Sequence, residues 1–252
     1  MKRCVITGAA GGIGAALARE FSHRDFQVMG IDRDAESLAS VIDEEDLRIL
    51  ADLASPDDCN RILQSLTDSV DVFIHCAGVN VVGPFAAMPS DQQRWITEVN
   101  LVAPIALTQG LLTRELLAPS ASLVFVSSLS SFVSYPGAAV YAASKEGLAS
   151  YARSLRAAPV MRGRHVLTVY PGPTRTAMAE RCSPDNSEPL RARRMPPERL
   201  AGSIARAVES RQPALIPGFS NRLLAQLGRW IPGVTEHAMR HAIFEKLPSG
   251  KR

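Results

Sequence analysis

Apolar positions along the chain follow two alternating periods. Short, dense runs of aliphatic and β-branched residues predict strands at 3–7, 27–31, 47–51, 72–76, 122–127, 165–170 and 214–216. Between them, apolar residues three and four apart predict helices at 13–23, 35–42, 56–67, 91–117, 138–161 and 197–209. A strand followed by a helix followed by a strand is how a chain returns to pair in parallel, because the crossover has to span one face of the sheet and the helix covers it. The expectation is an α/β fold: a doubly wound parallel sheet of about seven strands with helices on both faces, in three α/β/α layers. No internal repeat, low-complexity stretch or Pro/Ser-rich linker divides residues 1–252, so they are read as one domain.

Composition narrows the class. Hydrophobic content of 46% against 21% charged residues is enough for a packed core in 252 residues. Twenty-eight Lys and Arg against 25 Asp and Glu leave a net charge of +3, too small to argue for nucleic acid as a partner. The chain enters an apolar run by Cys4, leaving no room for a signal peptide. No uninterrupted run of about 18 apolar residues predicts a membrane-spanning helix. Cys4, Cys59, Cys76 and Cys182 are scattered without CxxC spacing, which suggests free thiols and a cytoplasmic setting.

Candidate chemistry starts at the first turn, Thr7-Gly8-Ala9-Ala10-Gly11-Gly12-Ile13-Gly14, which leaves a strand and opens a helix. Glycines there let the backbone turn sharply and approach a pyrophosphate at the helix N-terminus, as in a Rossmann-like fold. The spacing TGxxxGxG matches GxGxxG only loosely, and a plain glycine turn is the simpler alternative. Asp32 ends the second strand, where a carboxylate would accept hydrogen bonds from ribose hydroxyls and repel a 2′-phosphate; this favours NAD, with NADP the alternative. Gly11 adds no positive charge to the loop, which again favours NAD. Arg33 pulls the other way, since it could pair with that phosphate or stack on adenine. Asp52, next to Leu53, follows the third strand and is either a partner for the adenine amino group or a capping residue. Ala77 and Gly78 end the fourth strand, where Gly78 would let backbone approach a cofactor, while His75 and Cys76 read as packing or hydrogen-bonding residues. Asn100 is a polar residue inside a long helical pattern and by itself reads as structural.

The stretch 128–145, SLSSFVSYPGAAVYAASK, sets Ser128 thirteen residues before Tyr141 and Tyr141 four before Lys145. Positions four apart share a helix face, so a phenol and an ammonium should project side by side. A nearby positive charge lowers a phenol's pKa from its ordinary value near ~10, and a phenol so tuned exchanges a proton with a carbinol or carbonyl oxygen. Ser128 could hydrogen-bond the same oxygen. On its own, YxxxK on a helix is more often an ordinary surface pair. After the sixth strand, Tyr170-Pro171-Gly172-Pro173-Thr174-Arg175-Thr176 is too rigid for a helix, and its hydroxyls and amides could hold a carboxamide.

Taken together, these motifs resemble the single-domain short-chain dehydrogenase/reductase family over residues 3–216. Thr7, Gly8, Gly12 and Gly14 match its TGxxxGxG loop, Ser128, Tyr141 and Lys145 its catalytic triad, and Pro171, Gly172, Thr174 and Thr176 its PG motif. The resemblance implies that Tyr141 is the general acid/base and that Ser128 orients the substrate oxygen. It implies that Lys145 holds the nicotinamide ribose and depresses the tyrosine pKa, and that Asn100 anchors a proton-relay water. It also implies a secondary alcohol or ketone as substrate and a homo-oligomer, tetramer or dimer. Two departures stand out: Cys76 replaces an asparagine that ties the central strands in the family, and Ser131 replaces a glycine on the substrate side. Two competing readings are an NADPH-dependent ketoacyl-type reductase and a non-catalytic NAD(P)-sensing protein.

By the same resemblance, 177–196 is a substrate lid, whose Arg191, Arg193 and Arg194 either meet an anionic group or are simply solvated. The extension from 217 to 252 carries Leu223, Leu224, Leu227 and Trp230 at helical spacing between Arg222 and Arg229. Core packing or a subunit contact is expected there, with membrane-surface contact the weaker alternative. His237 and His241 are four apart but lack a third ligand, so no metal is expected.

Overall fold

The computed structural model describes residues 1–182 and 187–242. The chain runs β1 (Lys2–Thr7), α1 (Gly12–Ser22), β2 (Phe26–Asp32), α2 (Ala35–Ala39), β3 (Arg48–Leu50), α3 (Pro56–Ser65) and β4 (Val70–His75). It continues through α4 (Ser90–Thr97), α5 (Ala103–Thr113), β5 (Leu117–Val126), α6 (Ala139–Ala157), β6 (His165–Val169), α7 (Ala177–Arg181) and α8 (Glu188–Arg193). Last come α9 (Pro197–Glu209), β7 (Ala214–Leu215), α10 (Phe219–Trp230) and α11 (Pro232–Ala242). Among the described residues the strands form one seven-stranded sheet, in the order β3-β2-β1-β4-β5-β6-β7, with every pair parallel. The expected doubly wound α/β sheet is present.

Helices cover the sheet because their apolar stripes have nowhere else to go. On one side α1 packs on α9, and Leu17 and Phe21 of α1 are fully buried; on the other, α3 meets α5, with Ile62, Leu107 and Leu111 fully buried. The strands β1, β4 and β5 are buried on both faces, which is why they read as continuous apolar runs rather than alternating ones. Continuous with α4 and α5, the helix Ser90–Thr113 is apolar and long enough to span a bilayer by composition; its apolar residues Ile96, Val99, Leu107 and Leu111 are packed inside the fold.

Several boundaries differ from the sequence pattern. The helix expected at 91–117 stops at Thr113, and Glu115 turns the chain with a positive φ of 55° so that β5 starts at Leu117 instead of 122. Its middle, Glu98–Val102, is a π-helical turn. The helix expected at 138–161 ends at Ala157, and Pro159, with no N–H to give, opens a separate 3₁₀ turn, Pro159–Met161. Within the expected lid, α7 and α8 are helical; residues 183–186 of that segment, residues 243–252 of the C-terminal extension, and the side chains of Arg191 and His241 lie outside what is described.

Starting at β1, the chain works outward to β3 and then crosses back to lay β4 against β1. That reversal of strand order, at the carboxyl ends of the strands, is the usual position for a ligand in such sheets.

Candidate active site

The loop after β1 is tight because two glycines allow it. Gly8 has a φ of 70°, and a Cβ on it would stand 2.7 Å from the Ala77 Cα; a Cβ on Gly14 would meet the Gly8 carbonyl oxygen at 2.0 Å. These contacts draw the loops after β1 and β4 together, with Ile13 half-buried behind them. The N-terminus of α1 has Gly11 at its cap, no side-chain cap and no acid in its first turn, so its backbone donors suit an anion. A Cβ on Gly12 would stand 2.9 Å from the Thr176 methyl, so the glycine loop and the loop after β6 pack against each other.

Asp32 sits beside this loop. Its carboxylate accepts from the N–H groups of Ala10 (3.0 Å), Arg33 (2.8 Å) and Asp34 (3.2 Å), which leaves about one of its roughly four acceptor positions for a ligand hydroxyl. Arg33 lies over the Trp95 ring of α4, 5.5 Å from its centroid. Asp52 accepts from the Ala54 N–H at 2.9 Å and holds its own turn but does not cap α3, whose cap is Ser55, while Leu53 is part of the core.

The central strands are tied by Thr7, which the sequence placed in the glycine loop without this role. The buried Thr7 hydroxyl accepts from the N–H groups of Cys76 and Ala77, each at 3.1 Å, and donates to the Ile74 carbonyl. It thereby joins β1 to the end of β4 where the family's asparagine is missing. Burial pushes the Cys76 thiol up to about 12, which makes it a packing group rather than a nucleophile.

Asn100 is 0% exposed and fully engaged. Its Oδ1 accepts from the Val79 N–H (2.8 Å), and its Nδ2 donates to the Val79 carbonyl (2.9 Å) and to Ser144 Oγ (3.1 Å), which in turn donates to the Tyr141 carbonyl (2.7 Å). The side chain therefore pins the loop after β4 to α6. Because Pro104 has no N–H, the Asn100 carbonyl cannot receive the hydrogen bond a regular α-helix would supply.

Ser128, Tyr141 and Lys145 are brought together at the carboxyl end of β5. The Ser128 hydroxyl is near enough to the Tyr141 phenol to lower its pKa, and it accepts from the Ser130 N–H at 3.1 Å. The buried Lys145 ammonium lies 6.0 Å from the Tyr141 ring centroid and donates to the Val126 carbonyl at 2.9 Å. Next to it, a Cβ on Gly78 would stand 3.1 Å from Nζ, so the loop after β4 borders this lysine as well. The expected tuning of the phenol is not what the chain's own groups produce. Burial pushes the Tyr141 phenol up to about 12, the nearby Ser128 hydroxyl only partly offsets this, and burial draws Lys145 down to about 8. Burial outweighs an ammonium that bonds a carbonyl instead of the phenol oxygen.

Ser131, suspected of reshaping the substrate side, is used otherwise. Its hydroxyl pairs with Ser127 Oγ (3.1 Å), which donates to the Lys145 carbonyl (2.7 Å) and steadies the lysine's turn of α6. In the loop after β6, Pro171 accepts from the Leu129 N–H (2.9 Å), Thr174 donates to the Gly172 carbonyl (3.0 Å), and Thr176 caps α7 at Ala179 (3.2 Å). The wall facing Tyr141 is made of residues that carried no motif. The Tyr135 ring stands edge-on to Tyr141 at 6.2 Å, and Cys182 donates to the Asn80 carbonyl at 3.6 Å. Of the lid arginines, Arg194 is buried with its charge near Tyr135, and Arg193 is exposed. Only Tyr135, six residues before Tyr141, offered a sequence hint.

Residues 2–187 match the family model for short chain dehydrogenases. An uncharacterized short-chain type dehydrogenase/reductase of Sinorhizobium fredii is 31% identical over 98% of this chain and 46% of its own length, so the chain spans about half of that relative. The 1-deoxy-11-beta-hydroxypentalenate dehydrogenase of Streptomyces arenae is 33% identical over 71% of this chain and 69% of its own. Among solved structures, a short-chain dehydrogenase from Sphingobium yanoikuyae superposes with a TM-score of 0.78, covering 100% of this chain and 98% of its own at 20% identity, a likeness of fold.

Proposed function

The chain belongs to the short-chain dehydrogenase family, and on that premise we propose that it is an oxidoreductase interconverting a secondary alcohol and a ketone with a nicotinamide cofactor, NAD in preference to NADP. What carries the reading is the convergence at the carboxyl ends of the central strands of Tyr141, with Ser128 near enough to act on its phenol, and the buried ammonium of Lys145 beside the loops joined at Gly8 and Gly78. The residues fit the cofactor: the loop ahead of α1 carries no charged side chain, and α1 presents uncapped backbone donors to a phosphate. Glycine-loop amides and Asp32 would hold the adenosine half, with Lys145, Thr174 and Thr176 at the other end. When bound, the nicotinamide supplies or accepts the hydride.

The chain's own residues handle the proton. Tyr141, held as a neutral phenol by its burial, gives its proton to the oxygen of a carbonyl under reduction and takes it back in alcohol oxidation. Ser128 donates to the same oxygen and fixes its position. Lys145, charged below about 8, lends positive potential to the proton transfer. A phenol raised in pKa holds its proton throughout the neutral range, which favours carbonyl reduction as the faster direction there.

Replacing Tyr141 with Phe removes the hydroxyl and keeps the ring against Tyr135. With a ketone that is turned over, kcat should fall by about 10²–10⁴-fold while dinucleotide affinity changes little. Unchanged kcat in this variant would defeat the assignment of Tyr141.

A further inference from the structure

The C-terminal extension has an exposed apolar face that the proposed reaction does not use. Eleven large hydrophobic side chains are exposed among the described residues, and six of them fall within sixteen consecutive positions: Phe219, Leu223, Leu227, Trp230, Ile231 and Val234. Phe219 and Trp230, at the two ends of α10, are 82% and 80% exposed. Of the stripe expected to be core, Leu224 alone packs half-buried on the cluster of Leu129, Val133 and Ala225, and Ala225 and Gly228 are buried against the Phe132–Val133 loop. The helix is not loosely attached: a Cβ on Gly228 would stand 2.0 Å from the Phe132 carbonyl oxygen, and a Cβ on Gly172 would stand 2.5 Å from the Asn221 amide nitrogen.

Charge indicates what covers the outer face. α10 carries Arg222 and Arg229, both exposed, and no acid; α11 adds Arg240 and the single acid Glu236. A two-fold dimer through α10 would set the same patch against itself, with no acidic residue on either copy of the helix to meet Arg222 or Arg229. An anionic lipid surface complements this arrangement, taking the aromatic and leucine side chains into the headgroup–acyl boundary and the guanidinium groups at the phosphates. We propose that α10, with the start of α11, is an interfacial docking element that seats the protein on an anionic membrane surface. Its inner face rests on the loops after β5 and β6, which also carry Ser128 and Thr174, so a docked protein holds its site close to a lipid phase. The proposal is independent of the hydride chemistry.

The test is flotation of the full chain with vesicles of phosphatidylcholine alone and of phosphatidylcholine with roughly 30% phosphatidylserine, the content that gives an appreciable negative surface potential. The protein should float with the anionic vesicles and be released by salt. Arg222→Gln with Arg229→Gln should weaken partition about 30-fold, the factor for two surface cations. Phe219→Glu with Trp230→Glu should abolish it while leaving the thermal midpoint within a few degrees, because both side chains already stand in solvent. Absence of flotation, or flotation indifferent to charge and salt, overturns the proposal. So does a fall in oligomer size in the Phe219→Glu/Trp230→Glu variant by sedimentation velocity, which would give the face to a second copy of the chain.

Discussion

His75 lies between two phenylalanine rings, stacked on Phe125 at 4.8 Å and tilted against Phe73 at 4.7 Å, and is 1% exposed. Its Nε2 pairs with the Thr108 hydroxyl at 3.0 Å, while its Nδ1 has no partner. Burial first, and the Lys145 charge second, draw its pKa down to about 3. Between pH 6.5 and about 3 the unfolded chain takes up a proton that the folded chain refuses, so this residue's contribution to stability is whole above 6.5 and is lost as pH falls. The slope reaches up to about 1.4 kcal/mol per pH unit. Urea titrations from pH 7 to 4 should show a steeper loss in the native chain than in His75→Gln, whatever the variant's absolute stability; parallel curves would mean that His75 titrates normally. The sequence marked His75 as a packing residue, and its period in β4 was enough for that. It did not reveal the Thr7 latch, because the N–H groups that hydroxyl accepts from lie 69 and 70 residues away. Ser144, placed within one turn of Tyr141 but bonded to Asn100 44 residues distant, escaped for the same reason. Motif residues are legible where the chemistry demands a residue type at a local spacing; their supports are chosen by contacts that arise only after the strands have paired.

α10 shows how an element's placement can depend on one missing side chain. A methyl group at Gly228 would meet main chain at Phe132, which cannot rotate away, so the helix would have to lift. Gly110 makes an instructive comparison, since a Cβ there would stand 2.1 Å from Leu63 Cδ1, the end of a side chain with other rotamers. Both substitutions gain about 1 kcal/mol of helix propensity. Gly228→Ala should still lose about 1–2 kcal/mol net, overpacking being the larger effect, and Gly110→Ala should be near neutral. Hydrogen exchange should locate the difference: amides of 219–230 lose protection in Gly228→Ala while those of β1, β4 and β5 do not. Equal protection of α10 in both variants would show that the helix is not held by this contact. The helical stripe of α10 was evident from leucine spacing, but which face it buries was not, since burial went to Ala225 and Gly228 with Leu224 beside them and left Leu223, Leu227 and Trp230 exposed. The π turn at Glu98–Val102 was likewise hidden within an uninterrupted helical pattern, although Asn100 followed four residues later by Pro104 is a local sign that regular bonding must fail there.

The strand order places the functional residues without any of them being adjacent in sequence. β1 and β4 stand side by side at the centre, so the loops that leave them, the end of β5 with Ser128 and the loop after β6 all open at the same edge of the sheet. Alternating periods in the sequence implied a parallel sheet and its helical layers; the order of its strands follows from crossovers of one hand, which no single segment encodes. A site assembled from so many remote pieces couples ligand binding to the stability of the whole molecule. A dinucleotide that binds only the folded chain adds about 2.7 kcal/mol at 100 times its Kd. For a chain of this size that is a rise in Tm of roughly 5–10 °C, at about 2–4 °C per kcal/mol. NAD should give the larger rise and NADP a smaller one at equal concentration, because Asp32 holds a negative charge beside the glycine loop where a 2′-phosphate would lie. Asp32→Asn keeps an oxygen to accept from Ala10 and removes the charge, so it should narrow the gap between the two cofactors. An NADP shift equal to or above that of NAD in the native chain would reverse the preference, and no shift with either would remove the dinucleotide site itself.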